Sequence, residues 1–344
     1  MPSPAAAPSP APSLWLAPMA EITDSPFRQI AKSFGADELV SEMISAAGLS
    51  RGNLRTRLML EHPDIEPQPF RVQLYGGDPG EMAEASRIAA ELGAAAIDIN
   101  AGCPVPKVLK CGGGAALMRS PATIGDMVSK IRAASQLPVT VKTRIGLHPG
   151  AITIFDVLRA AEDNGASAIA VHGRFASAGH GGPANILILA KTVAAAQIPV
   201  TVNGGINTAA NALRIHRETA AAGLMIGRAA IGRPWIFAEI RAAFQAAAAA
   251  PITTPAAAAD FSPEDKEKVF RGHMEKIVSH YSALASKYPE LELDPEKPAL
   301  RAFTSHLFRY FSGISGSNEI RRNMNACKTV REIFELIAAQ IKAP

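Results

Sequence analysis

Between residues 14 and 228 the chain repeats one pattern: a short apolar run, a polar or reactive residue at its end, then a helical stretch. The runs fall at 14–17, 39–41, 70–74, 96–99, 139–141, 168–171, 200–202 and 224–226. Helix starts follow at Asp24-Ser25-Pro26, Asp78-Pro79, Ser120-Pro121, Asn185 and Thr208, and a further helix is expected over 152–164. Eight strands alternating with helices predict an α/β fold, a parallel (β/α)8 TIM barrel. An open doubly wound sheet is the rival. That fold carries its glycine-rich turn after the first strand. Here the first turn is Pro18-Met19-Ala20, and the glycines come late.

In a barrel the strand ends converge on one mouth, where chemistry is done. The residues at those ends are Met19, Gln73, Asn100, Cys103, Lys142, His172, Asn203 and Arg228. An inert mouth does not need polar side chains on nearly every strand. Asn203-Gly204-Gly205 and Gly227-Arg228, after the last two strands, suit a phosphate: glycine N–H groups approach an anion and Arg228 adds charge. Ordinary turn glycines are the plainer reading of either pair alone.

Length and composition set the frame. The 344 residues suit one large domain and one small one. A net charge of +4 is compatible with a nucleic-acid partner without deciding for one. Cys103, Cys111 and Cys327 include no Cys-x-x-Cys pair, which argues against zinc and for a reducing compartment. No apolar run approaches the length of a membrane span. Residues 1–13, rich in Pro, Ala and Ser, lack the features of a signal peptide and are expected to form a disordered tail, and the expected location is the cytoplasm.

The barrel is expected over 14–245, followed by a linker of Ala, Pro and Thr over 246–261. Ser262-Pro263-Glu264-Asp265 then opens a helix. Helical spacing links Phe270, Met274, Ile277, Tyr281 and Leu284. A second helix would carry Leu300, Phe303, Leu307 and Phe311, and a third Val330, Phe334, Ile337 and Ile341. Residues 262–344 therefore read as a small all-helical domain. Lys297, Arg301 and Arg309 would share one face of its second helix, and Arg321, Arg322, Lys328 and Arg331 cluster later. Such rows are usually a solvated face.

The densest stretch is 95–121. It contains Asp98, Asn100-Ala101-Gly102-Cys103-Pro104, then Lys107, Lys110 and Gly112-Gly113-Gly114. A thiol fixed past a strand end between Gly and Pro is placed to face a ligand rather than to pack. This stretch resembles the signature of the tRNA-dihydrouridine synthases. So do Ala17-Pro18-Met19-Ala20, Val72-Gln73-Leu74, Val141-Lys142-Thr143-Arg144-Ile145-Gly146 and Val171-His172-Gly173-Arg174. The match runs over about residues 14–240, and Gly232-Arg233-Pro234-Trp235-Ile236-Phe237 resembles the bacterial B-type branch.

The resemblance implies an FMN-dependent enzyme that uses NADPH to reduce uridines in tRNA to 5,6-dihydrouridine. It implies FMN held by Pro18, Met19, Ala20, Gln73, Lys142, His172, Asn203, Gly204, Gly205, Gly227 and Arg228. Lys142 would supply the cation that flavin reduction calls for. Reducing a uracil C5–C6 bond needs a hydride at C6 and a proton at C5, and Cys103 is the implied acid. The implied RNA contacts are Asn100, Lys107 and Arg174, with Arg301, Arg321 and Arg322 in a helical tRNA-binding domain. The expected partners are tRNA and NADPH, with no metal and no membrane, and the expected state is a monomer. Two other classes stay open: a flavin barrel acting on a free pyrimidine or dihydroorotate, and a non-catalytic RNA-binding module. The chain departs from the family after Arg174. Phe175 to Ile186 lacks the family's Gln, Tyr and Trp, which puts RNA handling by that loop in question.

Overall fold

The computed structural model describes residues 11–61, 68–249 and 261–341. Its eight parallel strands are β1 (Ser13–Leu16), β2 (Glu38–Ser45), β3 (Phe70–Tyr75), β4 (Ala96–Ala101), β5 (Val139–Arg144), β6 (Ala168–His172), β7 (Val200–Asn203) and β8 (Gly223–Ile226). Each pairs with its chain neighbour, and β8 closes on β1 with Leu14 opposite Leu224 and Leu16 opposite Ile226. The expected barrel is present.

Side chains alternate between the two faces of a strand. One set packs under the surrounding helices: Leu14 and Leu16, Ile97 and Ile99, Val139 and Val141, Ile169 and Val171, Leu224 and Ile226. The alternate set lines the barrel. Trp15, Val40, Ala170 and Met225 belong to a separate small apolar cluster there. Gln73, Asp98, Asn100, Thr140, Lys142, His172 and Asn203 share that inner phase of the strands. Barrel interiors are mostly filled with branched apolar residues, so this polar stack marks the mouth as a site.

Helices start where the sequence indicates, with side-chain caps at Asp24, Asp78, Asn185 and Thr208 but none from Ser120 ahead of Pro121–Ser135. Asp24 accepts from Phe27 N at 3.0 Å at the head of Ser25–Ser33, and Asp78 accepts from Glu81 N at 2.7 Å ahead of Pro79–Glu91. Ser262 and Asp265 form a reciprocal capping box on Pro263–Lys287. Between β5 and β6 the expected helix over 152–164 begins later, at Ile154, because Ala151–Ile152 pairs with Gly146–His148 in a short hairpin.

Three expected boundaries shift. Ser13 belongs to β1 rather than to a tail, since its N–H bonds Ala222 O at 3.0 Å. Ala246 to Ala249 continue the helix Ile236–Ala249, alanine being the strongest helix former. Phe261 is not linker either: it stacks on Trp235 at 4.6 Å. The tail over 1–10 and the rest of the expected linker lie outside the described residues.

After the capping box comes a helical region with its own core, including Phe270, Met274, Phe303, Tyr310, Phe311 and Ile337. Trp235 joins that core from the barrel side. His273 seats the two parts together, stacking on Phe27 at 5.4 Å and bonding Tyr310 Oη at 3.1 Å. The second helix does not run to Phe311. It stops at Ser305, and Leu307–Phe311 tightens into a 3-10 turn that buries Leu307, Tyr310 and Phe311 together.

Candidate active site

The strand ends open into a cavity of about 660 Å³, within the usual range for a small-molecule site. Pro18, Met19 and Ala20 form one wall; Gln73, Asn100 and Cys103 come from β3, β4 and the loop after it. Lys142, His172 and Arg174 come from β5, β6 and its following loop, and Asn203, Gly204, Gly205, Gly227 and Arg228 close the ring. Residues spread over more than 200 positions of sequence thus meet at one mouth. Lys107 does not line it. It lies exposed on the short helix Pro106–Lys110.

Cys103 is half-buried and free. Its N–H and that of Gly102 both donate to Asn100 Oδ1, at 3.0 and 3.2 Å. Its carbonyl accepts from Ala115 N at 2.9 Å. That contact explains Gly114, which has φ +59° and whose missing Cβ would stand 2.5 Å from Cys103 O. Gly114 therefore supports the thiol loop, while Gly112 and Gly113 lie against Gly77 and Gly76 after β3. Arg144, 3% exposed, ties the same loop from the other side, its Nε donating to Gly102 O at 2.7 Å.

The charge balance is one-sided. Lys142, Arg144, Arg174 and Arg228 line the cavity, and no carboxylate does among its described lining residues. Burial, helped by the nearby Arg144, pushes Lys142 down to about 8, while Asp98 and Cys103 oppose the shift. Lys142 Nζ reaches Asn203 Oδ1 at 3.5 Å, and Asn203 Nδ2 donates to Met225 O at 2.7 Å. Burial and the surrounding cations, Lys142 foremost, hold His172 far below its ordinary value. Its Nε2 lies 2.9 Å from Arg174 Nη1. A guanidinium only donates, so His172 is neutral with its proton on Nδ1. Gly204 is the one residue that fits against this ring: at φ +107°, an added Cβ would lie 2.8 Å from His172 Cδ2.

The loop over 175–185 is held by the cavity's own arginines. Arg144 Nη1 donates to Gly179 O at 2.7 Å, Arg174 Nε to Gly182 O at 2.8 Å, and Arg228 Nη2 to His180 O at 3.1 Å. The loop brings the His180 ring into the cavity wall, 6.1 Å from the His172 ring. Two titratable lining residues, Arg144 and His180, have no role assigned from the sequence. Arg144 carried a signal in the Val-Lys-Thr-Arg stretch. His180 carried none, sitting in a Gly-His-Gly-Gly loop with no periodicity.

The helical-region cations are not gathered at the cavity. Arg301 forms an ion pair with Glu21, whose own N–H donates to Glu42 beside the 18–20 turn. Arg309 does not continue the face of Lys297 and Arg301, because the helix breaks between them. Arg321 lies over Phe308 at 5.7 Å and Arg322 pairs with Glu319 at 2.7 Å.

A family model described as dihydrouridine synthase (Dus) matches residues 15–343. The chain belongs to the dihydrouridine synthase family. It is 35% identical over 328 residues to tRNA-dihydrouridine synthase B of Pseudomonas syringae pv. tomato, covering 93% of this chain and 91% of that one. It is 34% identical over 323 residues to tRNA-dihydrouridine synthase B of Escherichia coli K12, covering 94% of each. Among solved structures, a 2-naphthoyl-CoA reductase complex shares the fold, with a TM-score of 0.54 at 10% identity over 67% of this chain and 50% of that one. In this member of the dihydrouridine synthase family, the thiol loop at Cys103, the cations of the mouth and the 175–185 loop meet at one cavity.

Proposed function

We propose that this protein reduces the C5–C6 double bond of uridines in tRNA to 5,6-dihydrouridine, with FMN as its flavin and NADPH as its reductant. The observation that carries the reading is Cys103, braced at the edge of a cation-lined cavity that holds no carboxylate among its described lining residues. Family membership and the names of the relatives support it.

The residues present fit a flavin mononucleotide. Gly204 and Gly205, both at positive φ, line the same cavity as Arg174 and Arg228, a set of backbone N–H groups and guanidinium groups that suits a phosphate. Lys142 is the buried cation for the electron-rich ring, and Gln73 and His172 line the same cavity. Bound there, FMN would supply the hydride for C6, drawn from NADPH.

Cys103 supplies the proton for C5, and the thiolate left behind lies within the fields of Lys142 and Arg144. Asn100 and Arg144 hold the thiol loop still during the transfer. A target base inside folded tRNA must leave its stack to reach this mouth. Arg301, Arg321, Arg322 and Lys107 are the proposed cations for RNA phosphates, and we assign the helical region the tRNA-docking role. No helix of the described residues is long and apolar enough to cross a membrane. We place the activity in the cytoplasm, where tRNA is.

The test is to incubate the purified protein with NADPH and tRNA lacking dihydrouridine, then measure dihydrouridine in the product. Its formation, by protein that releases FMN on denaturation, is the expected result. Turnover of free uracil or orotate with none of tRNA would move the substrate class. A flavin-free protein that still binds tRNA would make it a binding module.

A further inference from the structure

We propose that Asp98 is a positioning residue: its carboxylate sets the direction of a hydrogen-bond chain that ends on the backbone of Cys103. The proposal rests on the reading of Cys103 as the proton donor. Asp98 lies inside the barrel, 1% exposed, level with Gln73 on β3 and Thr140 on β5. Its Oδ1 accepts from Thr140 Oγ1 at 2.6 Å and its Oδ2 from Gln73 Nε2 at 2.7 Å.

A carboxylate can only accept, so Gln73 must turn its amino end to Asp98 and its Oε1 away. That Oε1 accepts from Asn100 Nδ2 at 2.9 Å. Asn100 is then left with Oδ1 toward the loop, where it takes the N–H groups of Gly102 and Cys103. Each amide has one donor end and one acceptor end, so each link fixes the next. Without a directing acceptor at position 98, both amides can turn over. The loop N–H groups would then meet an amino group instead of a carbonyl.

A buried acid is a costly way to fill a barrel layer that Val or Ile fills elsewhere. What it adds here is direction and a counter-charge. Burial pushes the Asp98 carboxyl up, while Thr140, Gln73, Lys142 and Arg71 oppose that shift. The same geometry limits what the two amides can offer a ligand: each has committed one amide hydrogen and its oxygen to the chain, and Asn100 Nδ2 also reaches Met43 Sδ at 4.0 Å.

A polarity swap tests the chain without changing any side-chain volume. In Asn100→Asp alone, a carboxylate oxygen meets Gln73 Oε1, and the chain conflicts with itself. Adding Asp98→Asn removes the conflict. Gln73 turns over, donates to the new carboxylate at position 100, and accepts from the new amide at position 98. The readout is single-turnover oxidation of pre-reduced flavin by tRNA, with flavin content, thermal midpoint and NADPH reduction measured on each variant. Asn100→Asp should lose about a hundredfold in the tRNA step, the scale of a small misplacement of a reacting group. The double variant should regain about tenfold or more of that loss in the tRNA step, scored relative to its own rate of NADPH reduction so that any change at the flavin is divided out. A purely structural or volume-filling Asp98 predicts losses that add, so a double variant no faster than Asn100→Asp overturns the proposal. Cys103→Ala runs alongside. Full activity in it would overturn the acid assignment and this proposal together; an inactive Cys103→Ala with an unrescued swap overturns the chain alone.

Discussion

Arg228 reaches from the end of β8 to the main-chain oxygen of His180, 3.1 Å away. With Arg144 and Arg174 on Gly179 and Gly182, it anchors the 175–185 loop across the mouth through backbone groups. Backbone anchoring does not depend on which side chains the loop carries. The loop's place across the mouth is therefore set by the three arginines rather than by its own side chains.

Arg228→Ala should therefore weaken FMN binding and loosen the loop together. The expected loss of flavin affinity is about 1–3 kcal/mol, the scale of a bond to a charged group. Flavin fluorescence during dilution measures it. Unchanged affinity would remove Arg228 from the phosphate site.

Lys142 gives the reaction an alkaline limit. Burial, with Arg144 beside it, lowers the ammonium to about 8, so it is charged below that pH and neutral above. Flavin reduction by NADPH should hold steady through neutral pH and fall above about pH 8 as the cation is lost. Lys142→Arg should move that limb upward, since a guanidinium stays charged. Stopped-flow reduction across the pH range checks both. A limb that does not move in the variant would assign it to another group.

The seam between barrel and helical region should be acid-sensitive. Burial holds His273 well below 6.5 and His306 down to about 4, with His306 and Lys276 adding to the first shift and Arg309 to the second. Both folded-state values lie below the unfolded value, so the unfolded chain takes up protons first as pH falls. Stability is then full above about pH 6.5 and is lost below it, by up to about 1.4 kcal/mol per histidine per pH unit. For His306 the loss ends near its folded value of about 4. Urea midpoints at neutral and mildly acid pH should differ, and His273→Phe should shrink the difference. Equal midpoints in the parent protein would contradict the burial argument.

Arg321 and Arg322, on the helix Ser317–Asn323, are the proposed RNA contacts farthest along the chain. Arg321→Glu with Arg322→Glu should weaken tRNA binding and lower the salt dependence by about 1 per lost phosphate contact. Flavin content and NADPH oxidation should stay at wild-type levels. Filter binding over a salt series decides: equal affinities and slopes would mean that tRNA is held elsewhere.

The barrel was legible because its signal is local. Val139 and Val141, or Ile169 and Val171, announce a strand with no knowledge of its neighbours, and the polar residue after each run marks the mouth. What stayed hidden depends on contacts between distant segments. Arg144 matters because Gly102 and Gly179, far apart in sequence, both offer it carbonyls. The second helix of the tail kept its spacing from Phe303 to Phe311, yet the backbone tightens after Ser305 so that Tyr310 is buried too. Periodicity reports which residues are buried, and here two backbone geometries satisfy it. Asp98 stood in the signature stretch, but its role depends on Gln73 and Thr140 lying at the same level, which is a property of strand register.

The central claim is that Cys103 delivers the proton to the uracil ring, and single-turnover oxidation of pre-reduced flavin by tRNA tests it most directly. Cys103→Ala should bind FMN and be reduced by NADPH as the parent is, because no proton to C5 enters that half. It should then lose most of its oxidation by tRNA, on the order of the 10²–10⁴-fold that a positioned acid contributes. Oxidation by tRNA at the parent rate would contradict the account.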